Sequence, residues 1–246
     1  MTNEAPLKEQ QHVIDAFSDL APNYEKKMDS ELNLFWGWSY GELIKTLLEN
    51  CEDVFEKRIL DLATGKLVIP RAILDSNLHV KQLVGLDITY RMLHLGKAAL
   101  SNDSLIRLLC ASALEIPICP RSFDLVTCAL ATHHMDIRKL LSEIHRILDF
   151  NGTVTIVDVG ASKTWMNPIV QFFIKVLAFL YFLVRENISR AWAEAEALPN
   201  IRTAENWGNE LERADFQEIK IKKLKSRRPW IPDPILIQAK IKGDLK

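Results

Sequence analysis

An excess of charge of either sign is missing from this chain. Its 31 lysines and arginines face 32 aspartates and glutamates over 246 residues, a formal net charge of −1. No global basic field therefore argues for nucleic acid as a partner. Paired cysteines are missing too. Cys51, Cys110, Cys119 and Cys128 include no C-x-x-C spacing and no nearby histidine at finger spacing, which argues against a zinc site. Three of the four stand in apolar or strand-like surroundings and are expected to be reduced, buried thiols. The opening MTNEAPLKEQQ is polar and of mixed charge, unlike a secretory leader. The expected setting is cytoplasmic. Internal repeats and low-complexity linkers are absent. The length fits one large domain with a full core.

What is present is an alternation of strand and helix signals. Arg58 to Leu62 is predicted as a buried strand and Val68 to Leu74 as a helix, with Pro70 tolerated in its first turn. Val80 to Leu86, Leu105 to Cys110, Phe123 to Leu130 and Thr153 to Val159 read as further strands. Ile88 to Leu100 and the strongly periodic Asp136 to Leu148 read as helices, the second stopped by Asn151-Gly152. Val13 to Asn50 is helical with one interruption at Ala21-Pro22-Asn23. This order implies a parallel sheet covered by helices on both faces. Ala204 to Ala214 is then a helix, and Phe216 to Leu224 and Ile235 to Ile241 add an antiparallel pair at one edge. Lys220, Lys222, Lys223 and Lys225 invite a phosphate-binding reading, but lysines on an edge strand more simply deter pairing with other chains.

The stretch RILDLATGKLVIP, read with Asp87, carries the chemistry. An apolar run ends at Asp61, passes a small-residue turn at Ala63-Thr64-Gly65 and enters a helix. One βα unit later QLVGL ends at Asp87. A tight turn followed by an acid is the pattern of a nucleotide-type cofactor site. Such turns usually carry two or three glycines. Here Gly65 stands alone, and Lys66 and Leu67 follow it.

Taken in order, Asp61–Pro70, VGLDITYRML, Ala111–Pro117, SFDLVTCALATHHM and LLSEIHRILDFNGTVTIVD resemble a class I S-adenosylmethionine (SAM) methyltransferase. The resemblance is closest to the small-molecule branch that includes the ubiquinone/menaquinone C-methyltransferases. It covers roughly residues 13 to 160 and returns at Thr203 to Leu224. It implies an α/β, Rossmann-like fold: a doubly wound, mostly parallel seven-stranded sheet with an antiparallel edge strand and an inserted apolar lid helix. One domain, 1–246, would carry an N-terminal helical cap (1–52) and a lid insertion (161–203).

The resemblance also assigns roles. Asp87 would accept the ribose hydroxyls of SAM, Asp61 would organise the loop and approach the ammonium, Gly65 would let backbone approach the ligand without a Cβ, and Ala63 would be a further cofactor-binding residue. Ile88 and Met92 would flank the adenine, although apolar residues at this spacing also serve as plain core. Ser112 stands where the family commonly has an Asp for the adenine amino group, with the Ala113 amide beside it. Tyr24 either closes over the cofactor or acceptor or is an amphipathic helix-cap residue. His133 and His134 are candidate general bases, with a packing role as the alternative. Leu67 must turn away from the methionine moiety or fill its space, and Lys66 would bring an unfavourable ammonium unless it points elsewhere.

Trp165 to Val184 is long enough to approach a membrane span, yet Asn167, Gln171 and Lys175 form a polar stripe four residues apart. A span would separate the last strands from the sheet. The expectation is a lid roofing the acceptor pocket, with a peripheral membrane contact or a homodimer surface as other uses. Trp192, Trp207 and Trp230 are candidate walls or core. The expected function is SAM-dependent methyl transfer to carbon or oxygen of a hydrophobic small molecule. The alternative is a methyltransferase-like scaffold that binds or cyclises without methylating.

Overall fold

The computed structural model describes residues 10–51, 54–76, 79–100, 105–228 and 231–242. The tract 1–9 and Trp230 lie outside them. Seven strands form one sheet: β1 (Arg58–Leu62), β2 (Gln82–Asp87), β3 (Ile106–Cys110), β4 (Phe123–Ala129), β5 (Leu148–Asp158), β6 (Phe216–Lys223) and β7 (Ile235–Ile241). Their order is β3-β2-β1-β4-β5-β7-β6, with β1 to β5 parallel and β7 antiparallel to both β5 and β6. The doubly wound, seven-stranded sheet expected from the sequence is therefore observed, with its antiparallel pair at the predicted edge.

β1 shows why the central strands read as unbroken apolar runs. Ile59 points into the core on one face, while Leu60 and Leu62 point into the core on the other. One face packs under α1 (Gln11–Leu20), α2 (Tyr24–Trp36), α3 (Tyr40–Glu49), α4 (Val68–Asp75) and α5 (Tyr90–Ala98). The other packs under α6 (Ile137–Ile147) and α9 (Ala204–Arg213), where Trp207 is core rather than pocket wall. Edge strand β6 exposes Lys220, Lys222 and Lys223, as its protective reading requires.

Several local expectations are corrected. The N-terminal helices break a second time at Gly37, whose φ of 71° ends α2 in a left-handed cap. Helix α6 runs straight into β5, so Asn151-Gly152 does not stop it; Asn151 has φ 60° inside β5, between the irregular first pairing and the regular register. All four cysteines are free, but only Cys128 is buried, and Cys110 and Cys119 are exposed.

Between β5 and α9 the chain forms a helical hairpin, α7 (Pro168–Arg185) and α8 (Ile188–Ala197). Asn167 caps α7 by accepting from the Ile169 and Val170 amides. Helix α8 packs against α1 and the His133–His134 turn. The apolar helix α7 does not line the central cavity, so the expectation that it roofs an acceptor pocket does not hold.

Candidate active site

The sheet order reverses between β1 and β4, and the cavity opens at the carboxyl ends of these strands, where ligands bind in open α/β sheets. It is partly open to solvent and lined mainly by apolar side chains, with Asp87 and His134 among the few polar groups on its wall.

Its floor is the β1–α4 loop. Three alternate residues there adopt left-handed backbone: Ala63 (φ 50°), Gly65 (φ 54°) and Leu67 (φ 64°). Glycine takes this conformation freely, whereas each of the other two bears a cost of about 1–2 kcal/mol. The turn thus holds three left-handed residues with a single glycine. Leu67 is fully buried and turned away from the cavity. Its side chain fills space left by two glycines, since a Cβ on Gly85 or Gly96 would meet it at 3.2 or 2.9 Å. The Lys66 ammonium is also directed elsewhere, 3.7 Å from Glu25 Oε1 on α2, which Arg71 Nη2 approaches at 2.8 Å.

Asp87 ends β2 at the cavity wall. The Gly65 amide donates to its Oδ2 at 2.8 Å and the Thr89 amide to its Oδ1 at 2.7 Å. An ionised carboxylate has about four acceptor sites, so two remain for hydroxyl groups. Burial pushes Asp87 above its usual range, against the pull of those amides. Asp61 lies beneath the loop. Its Oδ1 accepts from the Thr127 hydroxyl at 2.7 Å, while its buried Oδ2 has no hydrogen-bond partner. Burial raises its pKa to about 7.

Tyr24, Ala63, Gly65, Asp87, Ile88, Met92, Ala113 and His134 line the cavity together. Asp61, Ser112 and His133 do not; each stands one layer behind. The Ser112 hydroxyl donates to Gln10 Oε1 at 2.8 Å and accepts from the Leu114 amide, and it is Gln10 that reaches the wall. Gln10, just before the first cap helix, and Val13 and Phe17 within it are not marked by the sequence motifs. The one signal for Val13 and Phe17 is their helical spacing with Tyr24. The Tyr24 ring covers Gly65, where an added Cβ would lie 3.6 Å from it. Tyr24 meets Tyr40 edge-on, and burial pushes its hydroxyl up to about 12.

Asp158, at the end of β5, holds the histidine turn. It accepts from the Thr132 hydroxyl and the His133 amide, and its Oδ1 lies 2.6 Å from His133 Nδ1. Burial disfavours the His133 imidazolium, but Asp158 outweighs this and holds its pKa above the ordinary value. His134 is the opposite case. Burial and the neighbouring His133 keep it below, hence neutral near pH 7. His134 Nδ1 is buried without a partner, and Nε2 lies 3.5 Å from Glu194 Oε1 on α8. His133, His134 and Glu194 bring three metal-ligating atoms within 4.8 Å of one another. However, Arg190 Nη2 stands 3.0 Å from Glu194 and 3.3 Å from Glu31, supplying the positive charge a cation would bring. Although burial would raise Glu194, Arg190 and His134 hold it well below the carboxylate range. The cluster reads as an ion-pair network between helix α8 and the N-terminal cap.

Residues 60–156 match the methyltransferase domain family. The chain is 26% identical over 180 residues to the uncharacterized methyltransferase YcgJ of Bacillus subtilis, covering 72% of this chain and 62% of that one. It is 28% identical over 155 residues to the demethylmenaquinone methyltransferase of Clavibacter sepedonicus, covering 58% and 62%. The match therefore spans less than two thirds of either relative's length. The crystal structure of YcgJ has the same fold, with TM-score 0.61 at 19% identity over 83% of this chain and all of that one. So does Haemonchus contortus phosphoethanolamine N-methyltransferase 2 in complex with S-adenosyl-L-methionine, with TM-score 0.60 at 15% identity over 84% and 53%. The donor set suits that cofactor: Asp87 offers free acceptor sites, Asp61 a buried oxygen without a partner, and Gly65 a floor with no side chain. By its domain match over residues 60–156, its relatives and its sheet, this chain is similar to the class I S-adenosylmethionine-dependent methyltransferases and shares their fold.

Proposed function

We propose that the protein transfers a methyl group from SAM to carbon or oxygen of a hydrophobic small molecule. One observation carries this reading. The β1–α4 loop is left-handed at 63, 65 and 67 and presents the Gly65 amide to Asp87, while Leu67 is outside the cavity lining. Asp87 would take the ribose hydroxyls, Ile88 and Met92 the adenine faces, and the Gln10–Ser112 pair the adenine edge. Asp61 would balance the cationic methionine end. SAM supplies an activated methyl group when bound.

The chain's own part is alignment and exclusion of water, which suffices for much of a transfer barrier. Phe17 and Tyr24 close one side of the cavity, and neutral His134 offers an acceptor at Nδ1 for a proton leaving the substrate. The largely apolar wall, and the demethylmenaquinone named for one relative, support a hydrophobic acceptor.

Calorimetry with SAM and with its demethylated product tests the cofactor. Binding is expected, and Asp87→Ala should weaken it by roughly tenfold or more, the scale of a lost charge-assisted pair. No binding of either compound at millimolar concentration would remove the reading. Binding without turnover of demethylmenaquinone or other hydrophobic acceptors would favour the scaffold alternative instead.

A further inference from the structure

We propose that helix α7 docks in the plane of a lipid bilayer surface, its outward face immersed in the acyl-chain boundary. The observation is an amphipathic helix turned inside out. Ile169, Phe172, Phe173, Val176, Leu177, Leu180, Leu183 and Val184 are each between 38% and 83% exposed, and only 6% of the helix is buried. At 100° per residue these positions cover a stripe roughly 140° wide. Of the polar stripe, half-buried Gln171 shares a small cavity with Trp165, Ile174 and Ile201 against the body of the protein, and Lys175 is also half-buried. A helix selected to face water has the reverse arrangement.

Three features point to lipid rather than to a second copy of the chain or another protein. The outward face offers no hydrogen-bonding side chain between residues 169 and 184, whereas a protein interface carries about one hydrogen bond per 100–200 Å². Its breadth exceeds the narrow seam that a pairing helix covers. Its ends carry residues that favour the headgroup layer: half-buried Trp165 and exposed Lys163, the latter 3.5 Å from exposed Glu205, before the helix, and exposed Arg185 at its end. Ile188 and Trp192 on α8 extend the apolar surface, and Trp192 packs edge-on against Phe179. Docking is in-plane because the sheet continues with β6 and β7 after the hairpin, and because α7 is packed along one side against α8. The surface stands independently of methyl transfer. If that reading also holds, the hairpin would let a hydrophobic acceptor reach the cavity from the membrane.

The test is flotation of the full-length protein with phosphatidylcholine vesicles, with and without phosphatidylglycerol, alongside light scattering for mass. The comparison variant is Phe173→Glu with Leu177→Glu and Leu180→Glu, three exposed positions outside the cavity. The expected result is a monomer that floats with vesicles, and a triple variant with unchanged melting and SAM binding whose partitioning falls by roughly a hundredfold or more. Failure of the wild type to float with either vesicle overturns the proposal. So does a wild-type dimer that the triple substitution converts to monomer while flotation is unchanged.

Discussion

Leu67 occupies the notch that Gly96 leaves open: a Cβ on Gly96 would come within 2.9 Å of Leu67 Cγ and 3.0 Å of the Lys66 backbone. The residue that breaks the glycine pattern of the cofactor loop is thus accommodated by glycines elsewhere, in α5 and in β2. Gly96→Ala should destabilise by roughly 1–3 kcal/mol, because Leu67 or the loop must shift. Leu67→Gly relieves left-handed strain but empties a core site, for a net loss of about 1–4 kcal/mol. The double variant should lose less than the sum, a coupling that urea melts of the four proteins measure directly. SAM affinity of Leu67→Gly should stay within about threefold of wild type. A tenfold gain would mean that the leucine obstructs the site after all.

On the proposed reading, Asp61 sets stability against cofactor binding. Its folded pKa, raised by burial to about 7, lies above the unfolded value of about 3.9. Between those values the native state holds a proton that the unfolded chain lacks, so stability falls as pH rises through the window. Asp61→Asn should abolish that slope and stabilise the free protein at pH 8 by up to about 4 kcal/mol. The same change should weaken SAM binding at pH 8 and remove an affinity that in the wild type rises from pH 6 to 8, since the ionised form attracts the cationic end. Thermal melts and calorimetry at pH 5.5 and 8 check both halves. A variant less stable at pH 8 than wild type would contradict the placement of a buried carboxylate whose hydrogen bonds do not offset its burial.

The His133–Asp158 pair has its own window. Because His133 is raised, its contribution is full below the unfolded value of about 6.5 and is lost as pH rises through the folded one. Because Asp158 is lowered, although burial alone would raise it, its contribution is full above about 3.9 and is lost as pH falls through its folded value. Asp158→Asn should therefore cost the most near pH 5–6, about 3 kcal/mol or more, and distinctly less at pH 9. NMR titration of His133 should show its pKa dropping in the variant. An unmoved titration would show that Asp158 does not set it.

Much of this was legible in the sequence because it is local. The bounds of β1 and β7, Asp87 at a strand end and Gly65 in a turn follow from apolar runs and their stop residues. The direction of Leu67 was not legible, since it depends on missing Cβ atoms at Gly85 and Gly96, in other elements. The wheel of α7 gave a polar stripe but not the side it faces, which only the packing of α8 decides. The exposure of Cys110 and Cys119 escaped for the same reason: a strand end and a loop after it look apolar in sequence yet reach the surface. Gln10 takes a wall position that the resemblance gave to Ser112, because the cap brings it there from the far end of the chain.

Arg190 links helix α8 to the N-terminal cap. It is 3% exposed, pairs with Glu31 of α2 and Glu194 of its own helix, and lies 4.7 Å over the Phe17 ring at the cavity wall. Its Nε and Nη1 have no hydrogen-bond partners, so the arrangement is held by charge and by ring contacts rather than by saturated hydrogen bonding. Removing one member of such a group leaves buried charge uncompensated. Arg190→Met should therefore cost about 3–5 kcal/mol, while Arg190→Met combined with Glu31→Gln and Glu194→Gln should recover most of that loss. In the single variant the pKa of His134 should rise, because the arginine that disfavours its imidazolium is gone while Glu194 remains. Denaturant melts give the first effect and imidazole NMR the second. A loss below about 1 kcal/mol, with His134 unmoved, would place Arg190 outside the network that closes the site.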